Sequence, residues 1–138
     1  MSIAINVHPN NDEPYSLSVN NVNEFLNVLQ KNEGMIFVKY EADWCAPCQK
    51  IKQDVLTIYN GLPDFVKCYI VNVDKSFELY AFLKHKKMLQ GIPAIHCYKK
   101  GNITYIPDAI VVGSSIPNIQ TFFHSCLESH KKNNDNNV

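Results

Sequence analysis

An α/β fold with a central mixed sheet flanked by helices on both faces is predicted by three features of this chain. Strand-like runs alternate with helical patterns through its first two thirds, a hairpin signal follows, and an amphipathic helix closes the order. Supporting all three is Met35-Ile36-Phe37-Val38-Lys39-Tyr40, a nearly continuous apolar run of the kind a strand covered on both faces requires.

Tyr15, Leu17 and Val19 alternate with polar residues and predict a first half-buried strand, while Ile3, Ile5 and Val7 predict an extra strand or arm over 1–13. Val22, Phe25, Leu26 and Leu29 recur at helical spacing behind Asn21, a candidate N-cap with Glu24 three residues on, which predicts a helix over 22–31 ahead of Gly34. After the apolar strand, Ile51, Val55, Leu56, Ile58 and Tyr59 predict a second helix reaching Asn60-Gly61. A buried strand is expected over 65–73 and a helix from Ser76 to about Met88. Strands over 94–99 and 103–112 are expected to meet across Lys100-Gly101-Asn102, with Pro107 and Asp108 marking a break in the second. Ile119, Phe122, Phe123 and Cys126 form the inward stripe of a last helix over about 117–128. One domain over 14–129 and a disordered polar tail over 130–138 complete the expected organisation.

Composition narrows the function classes. At 138 residues the chain is long enough to bury a core without disulfide staples. Its 13 Lys+Arg balance 13 Asp+Glu, so no net field recruits nucleic acid or an anionic membrane. Lys84-His85-Lys86-Lys87 reads as a solvated helix end matched to the helix dipole, not as a nucleic-acid patch. The N-terminal residues show no basic and apolar signal pattern and no window reaches a membrane span, from which a cytoplasmic protein is expected. Five cysteines is an odd number, and Cys68, Cys97 and Cys126 stand singly in apolar patterns, where they are expected to serve as small buried hydrophobes.

The chemistry is concentrated in Trp44-Cys45-Ala46-Pro47-Cys48, set between the apolar strand and the second helix. A dithiol at this spacing can close into a disulfide, and a sulfur at a helix N-terminus has its anion favoured by free N–H groups and the helix dipole. Pro47 suits a first-turn position, where its missing N–H costs nothing. No metal site is expected, because His85, His96 and His124 lack ligand spacing with each other and with Cys45 and Cys48, and two thiolates alone do not complete a zinc site.

Ala42-Asp43-Trp44-Cys45-Ala46-Pro47-Cys48, Val71-Asn72-Val73-Asp74, Gly91-Ile92-Pro93, Lys99-Lys100-Gly101 and Val112-Gly113, in this order, make the chain resemble the thioredoxin family over about 14–129. The resemblance implies the thioredoxin fold, with Pro93 cis against the two sulfurs and the backbone of Ile92 pairing with an extended substrate segment. It implies Cys45 as nucleophile, Cys48 as resolving thiol and Trp44 as a flat apolar surface offered to the partner. Ala46 and Pro47 would tune the reduction potential. Three positions depart from the family: Lys39 stands where a buried acid is usual, Ile70 where that acid's lysine partner is usual, and Gln53 where a helix-kinking proline is common. Lys39 either acts on the cysteines as a buried base or cation, or packs its stem while its amine reaches solvent.

The resulting expectation is a thiol–disulfide oxidoreductase that reduces protein disulfides, a monomer or weak dimer. It would hold no tight cofactor and be recharged by a thioredoxin reductase drawing on NADPH, or by glutathione. A thioredoxin-fold binding or scaffold module, and a disulfide isomerase or oxidase, are the alternatives.

Overall fold

A computed structural model of the chain describes residues 14–136, in which one mixed sheet is ordered β2-β1-β3-β4. The elements are α1 (Val22–Gln30), β1 (Met35–Glu41), α2 (Ala46–Asn60), β2 (Val66–Asn72), α3 (Phe77–His85), β3 (Ala94–Lys99), β4 (Ala109–Val112) and α4 (Ile116–Asn136). β1 is central, parallel to β2 and antiparallel to β3, and all of its residues are buried, as its apolar run predicts. β3 and β4 are antiparallel, with Ala94 opposite Val112.

Because side chains alternate across a strand, β1 feeds two separate layers of core. Ile36, Val38 and Tyr40 pack with Phe25 and Leu29 of α1 and Leu79 and Leu83 of α3. Met35 and Phe37 pack on the other face with Ile51 and Val55 of α2 and Phe122 and Phe123 of α4.

Local chemistry starts α1 as predicted. The Asn21 side chain accepts the Glu24 N–H at 3.0 Å, and the Glu24 carboxylate in turn accepts from the backbone and side-chain amides of Asn20. At Gly34 the chain turns so close to β2 that a Cβ would collide with the Phe65 carbonyl oxygen. Glycine is needed there for room.

Several element boundaries differ from expectation, each for a visible reason. The strand expected at Tyr15–Val19 is reduced to one parallel bridge between Ser16 and Ile70, because Tyr15 adopts φ 69° and the Val19 N–H is taken by the Ser76 hydroxyl at 3.1 Å. That same bond leaves Ser76 without a capping role on α3. α3 ends at His85, short of Met88, where Lys87 turns left-handed at φ 63°.

The second hairpin strand begins only at Ala109. The segment 100–108 is organised instead by side chains: Asp108 accepts the Lys99 N–H at 2.7 Å and the Asn102 amide at 3.0 Å, and the Asn102 amide also donates to the Ile106 carbonyl at 2.9 Å. Such local side-chain bonds displace ladder pairing. α4 continues to Asn136, through most of the tail expected to be disordered, after His130 stacks on Phe65 with ring centroids 4.1 Å apart and extends the packed helix by a turn. The arm over 1–13, with Ile3, Ile5 and Val7, lies outside the described residues.

Candidate active site

β1 delivers the chain to the cysteines at one end of the sheet. Cys45 is the N-cap of α2, Ala46 and Pro47 fill its first turn, and Cys48 lies one turn in. The two cysteines are joined in a disulfide with their Cα atoms 5.2 Å apart. The Cys48 N–H donates to Cys45 Sγ at 3.2 Å, so an otherwise unpaired first-turn amide points at the outer sulfur. A backbone donor and a helix N-terminus at that place favour a thiolate over a neutral thiol. Cys45 retains 5% exposure while Cys48 is closed off, which makes the outer sulfur the one an incoming group meets.

Trp44 is 67% exposed, so its ring belongs to the surface and not to the core. It is nonetheless anchored: the indole N–H donates to Asp74 Oδ2 at 2.9 Å. Asn72 supports this contact, accepting the Asp74 N–H at 2.9 Å through its side-chain oxygen while its amide reaches Asp43. Sequence reasoning gave Asn72 and Asp74 no role in the site. Their signal was the Val71-Asn72-Val73-Asp74 segment at the end of β2, whose side chains only the parallel β1–β2 pairing brings beside Trp44.

The Ile92–Pro93 peptide is cis, and the Ile92 carbonyl oxygen lies 3.7 Å from Cys45 Sγ. Pro93 is buried at the start of β3, with its carbonyl accepting the Gly113 N–H at 2.9 Å. The antiparallel β1–β3 register, which pairs Tyr40 with Ala94, carries this segment to the sulfurs.

Lys39 settles one of the two alternatives for its side chain. It is fully buried, so its amine does not reach solvent; Nζ pairs with Glu41 Oε1 at 2.6 Å inside the protein. Sequence reasoning gave Glu41 no role as this partner. Two opposite charges two residues apart in a strand share one face, and that was the available signal.

His85 and His124 are exposed and His96 is buried in β3, so the three histidines do not converge. Among the described residues no group of three or more metal-binding side chains comes together. Cys68 is half-buried and burial pushes its thiol up to about 12, which makes it a poor nucleophile.

The family model of thioredoxin matches residues 16–123. The chain belongs to the thioredoxin family. Its curated relatives are distant members: it is 28% identical to the chloroplastic thioredoxin Y2 of Arabidopsis thaliana over 59% of this chain and 46% of that protein. It is 32% identical to the mitochondrial thioredoxin-3 of Saccharomyces cerevisiae over 43% of this chain and 45% of that one. The chain thus spans about half the length of these thioredoxins. Solved thioredoxins share the fold, including that of Trichomonas vaginalis (24% identity, TM-score 0.62, covering 77% of this chain and 90% of that one). The thioredoxin of Trypanosoma brucei brucei aligns with TM-score 0.63 at 19% identity over 88% of this chain and 99% of that one.

Proposed function

We propose that the protein is a thiol–disulfide oxidoreductase that reduces disulfides in other proteins. The observation that carries this reading is the Cys45–Cys48 pair across the first turn of α2, with the Ile92 carbonyl and Pro93 against the outer sulfur. In the reduced protein the Cys45 thiolate attacks one sulfur of a substrate disulfide, forming a mixed disulfide and releasing the first substrate thiolate. Cys48, deprotonated, then attacks Cys45, forming the intramolecular disulfide and expelling the second substrate thiolate. Two electrons pass to the substrate, and the disulfide present in the structure is the product state of that step.

Trp44, held flat by Asp74, and the Ile92–Pro93 backbone supply the face on which an extended substrate segment docks. The Lys39–Glu41 pair replaces the family's buried acid and modulates proton transfer at the resolving cysteine, while Ala46 and Pro47 tune the potential. A thioredoxin reductase drawing on NADPH, or glutathione, restores the dithiol, and the protein works as a monomer or weak dimer.

Redox titration against a glutathione or dithiothreitol couple tests the reading. The expected result is a reversible two-electron transition near the value known for thioredoxins, about −270 mV. Cys45→Ser should abolish reduction of a protein disulfide, and Cys48→Ser should trap a mixed disulfide through Cys45. A potential near the roughly −180 to −120 mV of isomerases and oxidants would reverse the direction, and the absence of any transition would leave only a binding module.

A further inference from the structure

The apolar surface at the dithiol does not end at Trp44. β2 is parallel to β1 and pairs Asn72 with Glu41, so the turn after β2 and the start of α3 lie at the dithiol end of the sheet. Asp74, which holds the Trp44 indole, belongs to that turn, and Phe77 opens α3 just beyond it. The turn is fixed from within. The Asn72 side-chain oxygen accepts the Asp74 and Lys75 N–H groups at 2.9 and 3.3 Å, its backbone carbonyl accepts the Ser76 N–H at 3.0 Å, and Ser76 is itself buried.

Phe77 is 64% exposed. Leu79 and Leu83 make the inward contacts of α3, and helical spacing turns Phe77, Ala81 and Lys84 to the outer side, where all three are exposed. Single exposed apolar residues are ordinary, but this ring stands on a fixed turn continuous with a second exposed aromatic beside the nucleophile.

Charge is also uneven on this face. Among the exposed residues of 77–87 the one carboxylate is Glu78, set against Lys84, His85, Lys86 and Lys87, although the whole chain is neutral. Lys84 Nζ lies over the Tyr80 ring, 5.2 Å from its centroid. That places a cation about 10 Å along α3 from Phe77, a distance an extended chain covers in about three residues.

We propose that the outer face of α3 from Phe77 to Lys84 is a docking surface for protein substrates with an apolar side chain beside the disulfide and acidic residues about three positions farther on. The inference rests on the oxidoreductase reading and names a substrate class for it. Phe77 extends the Trp44 surface and receives the apolar side chain, and the cations toward the end of α3 receive the acidic residues. Both act through binding and selection, while the sulfur chemistry stays with Cys45 and Cys48.

The test uses the reduced full chain and synthetic peptides, each with one cysteine in a mixed disulfide with thionitrobenzoate, whose release is read by absorbance. Four peptides combine Leu or Ser beside the cysteine with a run of Asp or of Asn farther on. The Leu peptides should exceed the Ser peptides in kcat/KM by about 10-fold. The Asp peptides should exceed the Asn peptides by about 3-fold, a preference that high salt removes. Phe77→Ser should bring the Leu-to-Ser ratio close to one and Phe77→Leu should keep most of it, whereas Lys84→Gln should lower the Asp-to-Asn ratio. Peptides reduced at equal rates, or a Leu-to-Ser ratio that survives Phe77→Ser, would overturn the docking surface and leave the oxidoreductase reading standing. No release from any peptide would overturn that reading and the docking surface with it.

Discussion

At the scale of single residues, the structure places charge and polarity where an apolar reading of the strands did not. His96 lies buried in β3 with its ring edge toward Tyr40, centroids 5.0 Å apart, and neither ring nitrogen makes a well-formed hydrogen bond. Burial pushes its pKa from 6.5 down to about 4, against a smaller opposing effect of the Met88 backbone. Between those values the unfolded chain binds a proton that the folded chain refuses. Stability is therefore expected to fall as pH drops through the window from about 6.5 to about 4, by roughly 3 kcal/mol, and to level off for this group below it. Urea midpoints measured across that range should show a slope that His96→Leu flattens; an unchanged slope would mean that His96 is protonated in the fold.

The Lys39–Glu41 pair makes a second test at the same scale. Removing one member strands a buried charge, so Lys39→Met should cost about 3–5 kcal/mol, whereas Lys39→Met with Glu41→Leu should recover most of that loss. Equal destabilisation of the single and double variants in denaturant unfolding would show that the pair is not what the site needs. Lys39 was legible as a departure from its family, but its burial was not. A lysine stem in a strand packs equally well with its amine in or out, and only Glu41 on the same face decides the matter.

At the scale of elements, the periodicities were the readable part. The starts of α1 and α2, the full span of β3 and the buried character of β1 all follow from local signals such as the Asn21 cap, the first-turn Pro47 and the continuous apolar run. What local signals missed were competitions for backbone groups. Ser76 serves Val19 and not its own helix, and Asp108 with Asn102 builds a loop where a longer β4 is expected. The docking of α4 on β1 rests on Phe37, whose ring lies 4.6 Å from Phe123 and 5.9 Å from Phe122 between centroids. Phe37→Ala should therefore destabilise by about 3–5 kcal/mol and raise amide exchange in α4 more than in α1. A loss spread evenly over both helices would count against this division of the core.

At the scale of the whole molecule, the central strand positions the candidate site. β1 leads into the dithiol, and its antiparallel partner β3 begins just after Pro93, beside Cys45. Sequence by itself determined the α/β class, the two-cysteine motif at a helix start and the exposed tryptophan before it, because each depends on neighbours within a few residues. Tertiary structure alone decided the rest: which carbonyl faces Cys45, which carboxylate holds Trp44, and that Lys39 is buried against Glu41. Those contacts depend on strand register and on how helices lie across the sheet, which are set by packing of the entire core and leave no mark in the local pattern.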